Sequence, residues 1–115
     1  MRLPGGERAV VELAKLTDYC LDQTHPRGRH KARVFAARLG FTPAQAGLLR
    51  AELLRAAAIA TVAAEGFTDG HGRRFVLDLE VTGPKGAGTV RSGWIVRTGE
   101  DFPRLTSCYL LGASS

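Results

Sequence analysis

From Arg73 to Thr82 the chain alternates strictly: Phe75, Leu77, Leu79 and Val81 fall on one parity, and Arg74, Val76, Asp78 and Glu80 on the other. Successive side chains of a strand project to opposite faces, so this segment demands a strand with one apolar and one polar face. The apolar face must be covered, and that requirement limits the fold more than any other feature of the chain. Turn-forming sequences bracket the strand, Asp69-Gly70-His71-Gly72 before it and Gly83-Pro84-Lys85-Gly86 after it. Gly88 to Thr98 reads as the next strand, with Val90, Ser92, Trp94 and Val96 against Arg91, Gly93, Ile95 and Arg97. Gly99 to Pro103 is a loop. Arg104 to Leu111 is a last strand, apolar at both parities, and Glu65 to Thr68 a short one ahead of the first turn. Sequential strands with short connections make an antiparallel meander.

Before Ala64 the period is helical. Lys15 to Leu21 places Leu16, Tyr19 and Cys20 on one side of a short helix that stops at Thr24-His25-Pro26, because proline drives its predecessor out of the helical region. Arg29 to Leu39 aligns Ala32, Phe35, Ala36 and Leu39, with Gly40 as a left-handed stop. Thr42 as N-cap and Pro43 at the first helical position start a third helix, which runs to about Ala60 with Leu49, Leu53, Ala57 and Ala60 as its main stripe. Leu48, Leu54 and Ile59 lie outside that stripe, so its apolar arc is broad. Arg8 to Glu12 is expected as a short edge strand. The fold class is α+β: N-terminal helices packed on one face of a C-terminal three- or four-stranded antiparallel meander. Residues 1–115 are expected to form a single domain with loose ends at 1–7 and 112–115, large enough to bury a core without disulfide or metal. The second and third helices should cover Phe75, Leu77, Leu79, Val90, Trp94 and Val96.

Sixteen Lys and Arg, most of them Arg, stand against eleven Asp and Glu, for a net charge of +5. The distribution is more telling than the sum. Between Gln23 and Ala51 there is no acid, while Arg27, Arg29, Lys31, Arg33, Arg38 and Arg50 fall there with His25 and His30. Such a stretch is either a solvated face or a surface for a polyanion or an acidic protein. At the start of the second helix, His25-Pro-Arg-Gly-Arg-His-Lys31 puts positive charge where the helix dipole opposes it, on a Gly-bearing turn that offers backbone N–H groups to an anion. An anionic partner accounts for this, as would pairing of Lys31 or Arg29 with Asp18 or Glu80.

Other classes are not expected. No apolar run approaches the ~20 residues that span a bilayer, and the first residues lack a secretory pattern, so the chain reads as a cytoplasmic protein with no membrane partner. Cys20 and Cys108 read as buried core thiols of a reducing compartment, with a disulfide between them left open. His25 and His30 have no ligand-spaced partners, and the phosphate-loop, dinucleotide and nucleophile-elbow motifs are missing, so neither metal nor cofactor is expected. The oligomeric state is not legible.

A string of motifs carries a resemblance. Lys15-Leu-Thr-Asp-Tyr-Cys-Leu21, His25-Pro-x-Gly-x-x-Lys-Ala-x-x-Phe35, Val81-Thr-Gly-Pro84, Arg91-Ser-x-Trp94 and Gly99-Glu-x-x-Pro-Arg-Leu105 resemble an uncharacterised bacterial family of small domains. That family occurs alone or at the C-terminal ends of larger phage or secreted-toxin proteins, in contexts that imply a toxin beside a small antitoxin. The order of elements is also similar to barnase-like and RelE-like ribonucleases, which cleave RNA without metal on an open sheet face. Two readings follow. The first is a metal-independent endoribonuclease toxin, with His30, Lys31, Glu80 and Tyr109 at the reacting groups and Arg27, Arg29, Arg33, Arg38, Arg91 and Arg97 on the phosphates. The second is a non-catalytic module that binds RNA or a small acidic antitoxin-like protein through the Arg27–Arg38 face. Against both stands the reading of Asp78, Glu80, Arg91 and Arg97 as cross-strand ion pairs.

Overall fold

The computed structural model describes residues 1–112. Three helices occupy the N-terminal half. Helix α1 spans Leu13–Lys15 and runs on as a π-helical turn, Leu16–Cys20. Helix α2 spans Arg29–Val34 and continues as a second π turn, Phe35–Leu39. Helix α3 spans Ala46–Ile59. Four strands follow: β1 (Ala64–Asp69), β2 (Gly72–Gly83), β3 (Gly86–Arg97) and β4 (Pro103–Leu110), in the order β1-β2-β3-β4 with every neighbour antiparallel. The fold is therefore α+β, as the change of period at Ala64 requires, and the meander has four strands. Among the described residues no helix is long and apolar enough to cross a membrane.

Local chemistry accounts for the helix limits. Gly40 ends α2 at φ 77, a left-handed conformation that costs glycine little. Thr42 and Gln45 close a capping box around a 3-10 turn, Pro43–Gln45, with the Thr42 N–H donating to Gln45 Oε1 at 2.9 Å. That turn feeds α3.

Strand register aligns the core. Phe75 lies opposite Trp94, Leu77 opposite Ser92 and Leu79 opposite Val90, and Ser92 and Val90 meet Cys108 and Leu110 on β4. Leu16, Phe35, Leu39, Phe41, Leu49 and Leu53 cover this face. Helix α3 packs against β2, the π turn of α2 against β3, and α2 itself against β4. Val96 is only half-buried. A register shift between Gly93 and Trp94 lets Leu105 rather than Thr106 oppose the indole. Among the described residues, Ser92 is the one polar residue in the buried set. Its hydroxyl donates to the Leu77 carbonyl at 3.0 Å and accepts from the Trp94 indole N–H at 2.9 Å, so the core holds no unmet demand there.

The N-terminal segment departs from expectation. Residues 1–7 are held in place and are not a loose end. Leu3 is 3% exposed and joins the core, Arg2 bridges to Thr61, and the Met1 carbonyl accepts from Val62 N–H at 2.7 Å. Gly6 packs so tightly on α3 that a Cβ there would lie 1.9 Å from the Ala57 carbonyl oxygen. Arg8 to Glu12 forms no strand. Val10 instead makes a single parallel bridge to Arg104, donating to the Pro103 carbonyl and accepting from Leu105 N–H. Of the loose C-terminal end expected at 112–115, residues 113–115 lie outside the described residues. Cys20 and Cys108 are both free and buried. They meet between α1 and β4, where the hydrogen bond with Cys20 and burial push the Cys108 thiol well up.

Candidate functional site

The outer face of the sheet carries the polar parity of β2 and β3. Asp78, Arg91 and Tyr109 stand in one row across β2, β3 and β4. The Arg91 guanidinium grips Asp78 as a fork, Nε to Oδ1 and Nη2 to Oδ2, both at 2.9 Å. The pair shifts both groups: Arg91 holds the Asp78 carboxyl below its ordinary value, and Asp78 raises Arg91 further above its own. Tyr109 lies on the edge strand against which α2 packs, and Lys31 Nζ sits 4.3 Å from the centre of its ring. The row thus runs from carboxylate to guanidinium to phenol to ammonium, from the sheet onto the helix.

Helix α2 reaches this position because Ala32, Phe35 and Leu39 bury their side chains in the core. His30, Lys31 and Val34 then fall along the neighbouring side of the helix, next to β4. With Tyr109, Leu110, Leu111 and Gly112 they line an open pocket of ≈ 310 Å³ at the α2–β4 seam. The turn leading into α2 differs from expectation. Its N–H groups are engaged: those of Arg27 and Gly28 donate to His25 Nδ1 at 3.0 and 3.1 Å, and that of Arg29 donates to the His25 carbonyl. The turn therefore keeps no free backbone donors at those residues for an anion. His25 serves as the internal cap, with its ring set edge-on to Tyr19.

The basic side chains of α2 remain available. Among the described residues, Arg27, Arg29, Lys31, Arg33 and Arg38 form no ion pair, so neither Asp18 nor Glu80 neutralises this helix. Arg29 donates to the Pro26 carbonyl and is half-exposed, while Arg27, Lys31, Arg33 and Arg38 are exposed. Glu80 is exposed on the outer sheet face and accepts from the Thr89 hydroxyl of β3. Arg97 lies elsewhere. It opposes Gly72 at the far end of β3, about 20 Å from Arg91 at the strand rise of ~3.4 Å per residue. There it lines a separate cleft with Thr68, Arg73 and Glu100.

So the structure gathers His30, Lys31 and Tyr109 at one pocket, with Arg91 beside them in register. It leaves Arg27, in the turn before α2, and Arg33 and Arg38, on α2 and its π turn, exposed, and it keeps Arg97 apart. Sequence reasoning missed the pocket residues Val34, Leu110, Leu111 and Gly112. It named Asp78 only as a cross-strand partner, which is what Asp78 is.

The Asp78–Arg91 fork has a pH consequence. A carboxylate whose folded pKa is depressed stabilises the fold above its unfolded value of about 3.9 and loses that contribution as pH falls through the folded value. Asp69 and Glu100, paired with Arg74 and Arg104, share the same direction. Stability should therefore fall below about pH 4. Asp78→Asn should melt below the parent at neutral pH, with the gap closing as pH drops. Thermal melts of both proteins between neutral and strongly acidic pH check this, and a constant gap would show that the pair contributes nothing through ionisation.

The family described as "Domain of unknown function (DUF6883)" matches residues 2–112 of the chain. Among solved structures, the chain is similar to one in a contact-dependent growth inhibition toxin–immunity protein complex from Klebsiella pneumoniae 342. The TM-score is 0.69 at 18% identity, over 87% of this chain and 97% of that one. At that identity the likeness is one of fold. No curated protein matches the chain.

Proposed function

The chain belongs to the DUF6883 family, a domain of unknown function, and we propose that its α2–β4 seam is the RNA-cleaving site of a bacterial toxin restrained by a protein partner. The observation that carries this reading is the row Asp78–Arg91–Tyr109–Lys31 beside a pocket, flanked by a helix whose cations have no carboxylate partner among the described residues. Unneutralised charge of one sign is costly to gather unless an opposite charge is to be met, and here that charge is a phosphate chain.

Cleavage of RNA through its own 2′-hydroxyl needs three things and no metal. A base takes the 2′-hydroxyl proton as that oxygen bonds to phosphorus. A cation steadies the charge on the phosphorane. An acid protonates the departing 5′-oxygen, leaving a 2′,3′-cyclic phosphate. Lys31 and Arg91 supply the cations, the latter oriented by Asp78. His30 and Tyr109 are the proton carriers at the pocket, with Glu80 a further base on the sheet face. The fold neighbour from Klebsiella stands in a toxin–immunity complex, and the charge of +5 favours the toxin side of such a pair, because a polyanion is the target. A small acidic antitoxin-like protein over α2 would shield the same cations.

Induction of the protein in a bacterial host, with and without its genomic neighbour, tests the reading. Growth should stop, and RNA fragments ending in cyclic phosphate should accumulate, only without the neighbour. Normal growth with intact RNA at high expression sinks it.

A second reading has its own support. Arg27, Arg33 and Arg38 are exposed and lie outside the pocket lining, as a separate binding face would require. In that case Arg33→Glu with Arg38→Glu should abolish association with RNA. Each lost phosphate contact should reduce the slope of log affinity against log salt by about 1. An affinity that ignores salt would remove the electrostatic basis of this face.

A further inference from the structure

We infer that the pocket at the α2–β4 seam is a nucleobase site, holding the base of a nucleotide whose phosphate rests on Lys31. Its walls are unlike its rim. Val34, Leu110, Leu111 and the Tyr109 ring form an apolar lining, whereas His30 and Lys31 stand side by side on the first turn of α2. A ligand matched to such a site has a flat, largely apolar body joined to an anion. Free phosphate would use the rim and leave the walls wet. A purely apolar ligand would leave the ammonium without a counter-charge. A nucleotide satisfies both, and an aromatic ring is the surface on which bases stack regardless of sequence.

The size agrees. The volume of ≈ 310 Å³ lies at the lower end for small-molecule sites, enough for one base with part of its sugar. The pocket is also built in advance: Leu110 is 7% exposed and fixed by β4, and α2 is anchored by Ala32 and Phe35 in the core. Little ordering is then needed on binding. The inference rests on the RNA reading of this seam but not on cleavage.

Titration of the full chain at low salt with inorganic phosphate, ribose 5-phosphate and the four nucleoside 5′-monophosphates, followed by calorimetry or NMR, decides it. The monophosphates should bind about tenfold or more tightly than ribose 5-phosphate, the size of effect that stacking of one base brings. Val34→Met, which narrows the pocket without adding a ring and leaves every charge in place, should erase that gain and leave phosphate affinity unchanged. Ribose 5-phosphate binding as tightly as the nucleotides would overturn the inference, and this comparison needs no variant to fold. So would a base-dependent gain that survives undiminished in a folded Val34→Met protein. Base-dependent binding without RNA cleavage would remove the enzymatic reading and keep this one; cleavage without it would do the reverse.

Discussion

Lys31→Ala should lower RNA cleavage by about 10²–10³-fold while leaving the fold intact, because a preorganised cation at a developing negative charge has an effect of this size. The expected loss requires Lys31 to act on substrate and not on the protein. Its ammonium has no carboxylate partner among the described residues and meets only the face of Tyr109. Its side chain is exposed, so truncation should change stability by no more than about 0.5 kcal/mol. His30→Ala, in the same pocket, should cost about 10²–10⁴-fold if the imidazole moves a proton. Arg97→Ala is the control. It removes the same charge about 20 Å along β3 from Arg91, and should leave the rate nearly untouched. Single-turnover cleavage of a defined RNA, with thermal melts alongside, separates the outcomes. Equal losses in Lys31→Ala and Arg97→Ala would mean that the bases act only as a diffuse field.

Leu53→Ala should cost about 2–5 kcal/mol, a large part of the 5–15 kcal/mol typical of a folded domain. Leu53 is fully buried on the side of α3 that packs against β2, beneath Phe75 and Leu77 in the same core. Removing its isobutyl group loses the transfer free energy and leaves a cavity that a helix pinned to a four-stranded sheet is poorly placed to close. Arg33→Ala, exposed on α2, should fall within about ±0.5 kcal/mol. Urea melts of the two variants give both values. If Arg33→Ala were the more damaging, α2 would be rotated about its axis, and the basic face would be an internal network instead of a binding surface.

How much of the fold and the site is legible in the sequence depends on the range of the interaction. Alternation from Phe75 to Val81 determines both the strand and its buried face, because a period of two has only two phases. The Asp78–Arg91 fork follows from the same regularity once the hairpin closes at Gly83 and Gly86. Leu3 gives no signal: a single leucine between arginine and proline has no period, and the feature that seats its segment is the close approach of Gly6 to the Ala57 carbonyl of α3. The π turns of α1 and α2 are also hidden, since their buried pairs, Leu16 with Cys20 and Phe35 with Leu39, keep the spacing of four that an ordinary α-helix gives. The basic stretch is legible as charge, but not as geometry. His25 consumes the backbone donors that a Gly-bearing turn suggests, and the contact of Lys31 with Tyr109 joins two residues that no local pattern connects.

Trp94 is the only tryptophan in the chain, and its indole is 1% exposed with its N–H bound to Ser92. Its emission therefore comes from a single dry site at the centre of the helix–sheet contact. The spectrum should lie to the blue in the folded protein and move red on unfolding, with no interference from another indole. Ser92→Ala would strip the N–H of its acceptor without opening space for water, so the folded spectrum should shift while the unfolded one stays the same. The molecule carries its own optical gauge of core integrity, on the face of the sheet opposite to the Asp78–Arg91 fork.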